Sequence, residues 1–350
     1  MKSIDEDRIT VLRELLVEQY DNFSAADTGT IRKSAIDFAV SQRDSSHALV
    51  LSGLRRCGKS TLLAQIANQL YSANEYYYVN FDDERFLDFR ASDFQILLDL
   101  LIELFGERKV FFFDEIQNVE RWETFARKLI DKKNKLYITG SNAELLSREL
   151  GTRLTGRHLS YELLPFSFSE FLDFNDVSYS VSRGQLDIKS KAVLKKNLQD
   201  YMQLGGVPEA LKYPELPILK RLYQDALFRD IVARFNIDSD RALRELSYYL
   251  LSNAASLVSF NKLKVRMGLG SVNTIKNYIQ YLENAWLLFT VHRYSYSVKS
   301  QQIAPKKIYA IDLGLCNQVG FRFSADRGRQ LENLVYLELR RAHEEIYYYK

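Results

Sequence analysis

Apolar residues along this chain fall into two alternating rhythms. Short hydrophobic runs, Ala48–Ser52, Tyr76–Phe81, Val110–Phe113, Leu136–Thr139 and His158–Leu163, are bounded by polar or acidic residues. Between them lie stretches with apolar residues three and four apart, which predict helices over 59–70, 93–105, 118–130 and 143–150. Short apolar strands alternating with amphipathic helices predict an α/β fold, a buried parallel sheet with helices on both faces. Residues 5–40 also read as helical, with Ile9, Leu12, Leu15, Leu16 and Tyr20 at that spacing.

After Pro165 the rhythm changes. Residues 166–251 carry several helical patterns and no convincing strand, interrupted by Gly205-Gly206-Val207-Pro208. Near 258 a second change brings two short helices around Gly268–Gly270, then the β-rich stretches Leu287–Tyr296 and Lys307–Ile311 separated by a polar loop. Helix, turn, helix, hairpin is the outline of a winged helix. Arg329–Ala342 reads as a helix and Glu345–Lys350 as a strand.

Composition narrows the class. No apolar stretch approaches the ~18 residues of a membrane span, and the amino terminus, MKSIDEDRIT, has no apolar signal region. Cys57 and Cys316 are the only cysteines and suit a reducing compartment, so a cytoplasmic protein without membrane contact is expected. The formal net charge of +3 is unevenly spread. Residues 261–310 hold Lys262, Lys264, Arg266, Lys276, Arg293, Lys299, Lys306 and Lys307 against a single acid, Glu283, which points toward an anionic partner.

Gly53-Leu54-Arg55-Arg56-Cys57-Gly58-Lys59-Ser60 fits G-x-x-x-x-G-K-[ST] at every fixed position, after one predicted strand and at the start of a helix. The glycines let successive N–H groups converge on phosphates. Lys59 adds a point charge, Ser60 a hydroxyl ligand for Mg²⁺, and Thr61 reaches toward the α-phosphate, while Arg55 and Arg56 stand at the rim or in solvent and Cys57 fills space. The apolar strand 109–113 closes on Asp114-Glu115, where α/β sheets bind ligands. The pair suits Mg²⁺ held through Asp114 and water primed by Glu115, which together with the phosphate loop implies binding and hydrolysis of Mg·ATP. The intervening strand 76–81 and the adjacent glutamate mark the additional-strand branch of P-loop ATPases.

Taken in order, GLRRCGKSTLL, YYYVNFDDERF, KVFFFDEIQ, LYITGSNAELLS, ELLPFSFSEF, LGGVPEAL and PKKIYAIDLGL resemble a bacterial and archaeal family of AAA-type ATPases whose carboxyl half is a domain of unknown function. The resemblance covers roughly 48–350. After the helical segment 1–47, it implies an AAA-like core 48–165, a helical lid 166–257, a winged helix 258–312 and the start of an α/β, restriction-endonuclease-like region at 313–350. By analogy with such enzymes, Ser141 or Asn142 senses the γ-phosphate or caps a helix, and Arg153 or Arg157 reaches a neighbouring subunit of a homo-oligomer or pairs locally. Pro208 lies against adenine or joins two helices, and Arg229 serves as a second phosphate sensor. The family's nuclease-like glutamate corresponds to Glu332, but the acidic residues and lysine expected beyond it are missing from this sequence, so nuclease activity is not expected. The strand Ile346–Tyr349 is likewise expected to lack partners and leave an open edge.

For a DNA partner, the helix Ser271–Asn284 supplies Asn273, Thr274, Lys276 and Asn277 to the major groove, and Lys299, Lys306 and Lys307 of the basic hairpin suit phosphate contacts. The expected function is an ATPase coupled to DNA binding or remodelling. The alternative is a nucleotide-gated switch that binds a protein partner and has no DNA role.

Overall fold

A computed structural model describes residues 6–141, 154, 156–182, 185–237, 240–320 and 326–349. The chain forms two compact units, residues 1–53 with 58–163, and residues 54–57 with 164–350.

In the first unit, α1 (Glu6–Ser24) and α2 (Lys33–Ser41) precede β1 (Ala48–Ser52) and α3 (Lys59–Leu70). Then follow β2 (Tyr76–Asn80), α4 (Phe94–Phe105), β3 (Val110–Asp114), α5 (Trp122–Asp131), β4 (Lys135–Gly140) and β5 (His158–Glu162). The five strands pair in parallel in the order β2-β3-β4-β1-β5. Strand β1 is therefore flanked on both sides, and its carboxyl end, where the phosphate loop begins, sits beside the end of β4 (Ser52 opposite Gly140). Continuous apolar strands bury on both faces, which is why Leu49, Val50, Phe112, Phe113, Tyr137 and Ile138 have no exposed surface to speak of. Stacked rings tie neighbouring strands, Phe112 on Tyr137 at 4.7 Å.

Helix α1 folds as part of this unit. Leu12, Leu15 and Leu16 are fully buried in the core with Tyr77, Val79 and Phe111. The Gln19 side chain completes the outer strand: its Nε2 donates to Asn80 O at 3.0 Å and its Oε1 accepts from Asn80 N at 2.9 Å. An edge strand left bare there would present unpaired backbone groups.

The second unit is mostly helical. Helix α6 (Phe168–Phe174) starts with a capping box in which Ser167 and Glu170 satisfy each other's backbone N–H groups. A two-stranded ribbon, β6 (Val181–Ser182) and β7 (Gln185–Leu186), lies within the stretch where only helices are expected from sequence. Next come α7 (Ile188–Leu204), α8 (Pro208–Lys212), α9 (Ile218–Leu227), a π-helical turn over Phe228–Ala233, and α10 (Arg241–Ser252). The chain continues as β8 (Ser256–Val258), α11 (Phe260–Arg266), α12 (Val272–Asn284) and β9 (Leu288–Arg293). It ends with α13 (Val298–Ile303), β10 (Lys306–Ala310), α14 (Leu313–Val319), α15 (Arg327–Ala342) and β11 (Tyr347–Tyr348). The helix α13 occupies part of the expected polar loop.

Strands β8, β9, β10 and β11 form one sheet in the order β11-β9-β10-β8. The expectation that the last strand lacks partners is corrected here. Strand β10 occupies only one edge of β9, and β11 takes the other in parallel register, Tyr347 opposite His292. Helix α15 anchors β10 through Asn333, which accepts from Ala310 N at 2.8 Å and donates to Ala310 O at 2.9 Å.

Candidate nucleotide-binding site

The chain turns sharply after β1. Gly58 holds φ +97°, a left-handed conformation that L side chains rarely adopt, although a Cβ there would meet nothing within 4 Å. Conformation rather than space therefore requires glycine. Arg56 shares the left-handed region at φ +62°. Leu54 and Cys57 are buried anchors, and Cys57 N donates to Leu54 O at 3.3 Å, closing the loop. Leu62 N then bonds Gly58 O at 2.8 Å, which starts α3 with Lys59, Ser60 and Thr61 in its first turn. Unsatisfied N–H groups of such a turn form an anion site.

Arg55 and Arg56 do not stand in solvent. Within the second unit, Arg55 Nε donates to both Asp230 oxygens at 3.2 and 3.0 Å, and Arg56 Nη1 donates to Glu209 Oε1 at 2.8 Å. Their partners are the chain neighbours of Arg229 and Pro208. Pro208 opens α8 at its first position, and Arg229 is exposed on the π-helical turn.

Strand β3 carries Asp114 and Glu115 to the same end of the sheet as Lys59. Asp114 is fully buried, and burial, then the neighbouring Glu115 charge, push its carboxyl above the usual range. Hydrogen bonds from Ser60 and Thr139 and the Lys59 charge pull it back. Tyr78 also donates to Asp114 Oδ2 at 3.2 Å. Glu115 occupies the left-handed region at φ 51°, a strained backbone for a residue with a side chain. Its Oε1 lies 3.3 Å from Lys59 Nζ, which is itself 5% exposed and donates to Gly53 O at 3.3 Å. Gln117 Nε2 holds the other Glu115 oxygen.

One residue missing from the sequence reading joins these parts. The Thr139 hydroxyl, fully buried at the end of β4, donates to Asp114 Oδ1 and accepts from Glu115 N at 2.9 Å. The available signal was a lone polar residue closing an apolar strand. Ser141, two residues on, is 6% exposed. Asn142 and Arg153 lie outside the described residues. Arg157 pairs with Asp131, both about half exposed.

On the sheet of the second unit, α12 is capped by Ser271, whose side chain accepts from Asn273 N. It buries Ile275, Ile279 and Leu282 and exposes Asn273, Lys276 and Asn277, with Thr274 half-buried. Lys306 and Lys307 are largely occupied: Lys306 Nζ is 3.0 Å from His292 Nδ1 and donates to Gln301 O at 2.6 Å, and Lys307 pairs with Glu332. Glu332 also accepts from Tyr309 at 2.8 Å, and among the described residues no group of three or more His, Cys, Asp or Glu could hold a metal ion. No helix among the described residues is long and apolar enough to cross a membrane.

Residues 45–172 match the model of an AAA domain, and residues 195–326 that of a domain of unknown function (DUF8612). The uncharacterized protein MJ1544 of Methanocaldococcus jannaschii is 36% identical over 315 residues, spanning 86% of this chain and 69% of the relative. An uncharacterized protein of Haemophilus influenzae is 30% identical over 323 residues, spanning 89% and 78%. Among solved structures, the Thermotoga maritima RuvB Holliday junction branch migration motor aligns with 82% of this chain and 89% of its own at 17% identity, with a TM-score of 0.31.

Proposed function

The chain belongs to the family of MJ1544 and carries an AAA domain, and from that premise we propose that it binds Mg·ATP at Gly53–Thr61 and hydrolyses it. The observation that carries the reading is the bonded set Ser60–Asp114–Thr139–Glu115–Lys59, in which each member is within reach of the next. Ser60 and Asp114 offer hard oxygen donors side by side, and the buried Asp114 carboxyl gains from a nearby cation, so the pair fits magnesium. Held there by Ser60 and Asp114, the metal would neutralise charge on the phosphate oxygens.

The remaining work belongs to the chain. Backbone N–H groups of the loop and of the first turn of α3 grip the phosphates, and Lys59 turns from Glu115 toward them. Release from Lys59 leaves Glu115 as an acceptor for the proton of the attacking water, oriented by Gln117 and Thr139. Pro208 and Arg229 remain candidate contacts for adenine and phosphate, and Ser141 for the γ-phosphate.

The order α10, β8, α11, α12, β9, β10, with β10 paired between β8 and β9, supports a winged-helix reading of this segment. We attach nucleic-acid binding to it, carried by the exposed polar face of α12. The nucleotide-gated protein switch is the competing outcome.

The test measures nucleotide binding and ATP turnover with and without DNA over a range of salt. Lys59→Ala is expected to lose nucleotide binding, and Glu115→Gln to bind ATP without turnover. DNA stimulation that declines as salt rises supports the DNA reading, because counterion release weakens phosphate contacts. Normal turnover by Glu115→Gln removes the assigned base. Absence of any DNA effect at low salt favours the switch.

A further inference from the structure

Two side chains of α1 reach the strand that borders Asp114. Gln19 bonds both backbone groups of Asn80, the residue of β2 opposite Asp114 in the sheet. One turn further along α1, the Phe23 ring stacks on Tyr78, with centroids 3.8 Å apart and planes within 10° of parallel. Phe23 is 6% exposed and also meets Tyr76 and Phe112, at 5.8 and 5.9 Å, so its own ring is held by neighbours. Stacking on a held ring sets the plane of the Tyr78 phenol, and with it the direction of the hydroxyl.

That hydroxyl donates to Asp114 Oδ2 at 3.2 Å, while Thr139 donates to Oδ1. The two neighbours of β3 in the sheet, β2 and β4, thus supply one hydroxyl to each oxygen of a carboxylate that is 1% exposed. Each carboxylate oxygen accepts more than one bond, so these hydroxyls fix Asp114 without using it up. Groups that orient a metal ligand in this way govern how tightly the metal is held. Phe23 and Tyr78 also line a cavity of 340 Å³ together with Ser60 and Asn80. Magnesium gives up its waters reluctantly, and a polar cavity beside Ser60 has room for them.

We propose that Tyr78 is a positioning residue for the magnesium carboxylate Asp114, and that α1, through Phe23, thereby sets the metal affinity of the site. The inference rests on the Mg·ATP reading above and gives the amino-terminal helix a role in it.

The test follows binding of adenylyl imidodiphosphate to the full chain by calorimetry, in EDTA and over a magnesium titration. Tyr78→Phe keeps the stacked ring and removes only the hydroxyl. It is expected to bind the nucleotide in EDTA as the unmodified protein does. It is also expected to need about tenfold more magnesium to reach half of the metal-dependent gain in affinity. Phe23→Leu leaves the hydroxyl and frees the ring, so a smaller shift in the same direction is expected. Because Phe23 acts through Tyr78, the double variant is expected to match Tyr78→Phe alone. An unchanged magnesium midpoint in Tyr78→Phe overturns the proposal while nucleotide binding stands, whether or not binding in EDTA has weakened. Additive shifts in the double variant overturn the role of α1. If the unmodified protein takes up no nucleotide with magnesium present, the Mg·ATP reading itself falls.

Discussion

Thr139 shows what one hydroxyl contributes when a strand end is fully buried. It donates to Asp114 and accepts from the Glu115 amide, so a single oxygen holds the Asp114 carboxylate and the backbone that carries Glu115. Thr139→Val keeps the shape and removes both bonds. The expected result is nucleotide affinity close to the unmodified protein and turnover lower by about 100-fold, the scale of a misplaced catalytic group. Thr139→Ser, which restores the oxygen, is expected to recover most of the rate. Equal loss of binding and turnover would instead mean that Thr139 only holds the fold. That Lys59, Asp114 and Glu115 come together could be anticipated from residue type and spacing, since each closes or follows a strand at the same end of the sheet. Thr139 left only the sign of a polar residue closing an apolar strand, because its importance arises from β4 lying beside β3.

Between elements, one close joint in the second unit is built on glycine and one acid. Asp312 accepts from Gly206 N at 2.6 Å and from Leu315 N at 2.8 Å, capping α14 while holding the loop that leads to α8. A Cβ on Gly206 would lie 2.4 Å from Phe166 O, and one on Gly314 2.0 Å from Leu204 O, so the elements touch backbone to backbone. Burial pushes the Asp312 carboxyl up to about 6, from an ordinary value of about 3.9. The folded state thus holds this proton more tightly than the unfolded chain. Stability from the group is complete below pH about 4 and is lost as pH rises through about 6, on the order of 3 kcal/mol. The advantage of the unmodified protein over Asp312→Asn in urea is therefore expected to shrink between pH 4 and pH 7. A constant difference across that range would show that burial does not shift the carboxyl. In the sequence, LGGVPEAL and AIDLGL are merely two short signatures about a hundred residues apart (206 to 312). Their union is a tertiary event.

For the whole molecule, the open question is whether the site is complete in one chain. Arg157, expected by analogy either to reach a neighbouring subunit or to pair locally, pairs with Asp131 across two half-exposed side chains, a bond worth little in water. It can therefore be exchanged for a better anion at small cost. Arg157→Ala is expected to bind nucleotide and lose turnover, and mixing it with Lys59→Ala is expected to restore part of the rate, because each supplies what the other lacks. No recovery in mixtures that demonstrably exchange subunits would confine Arg157 to its local pair.

The linear order of residues determined the five strands of the parallel sheet, the α/β class, the phosphate loop and the acidic strand end, because each is a local pattern of hydrophobicity, glycine and charge. Only the tertiary structure decided that Gln19 completes the edge of β2, that β11 finds a partner in β9, and that Arg55 and Arg56 are paired. Those outcomes turn on which surfaces meet after the chain has folded back on itself. Hydrogen bonds and ion pairs between residues far apart in sequence leave no periodic trace along it.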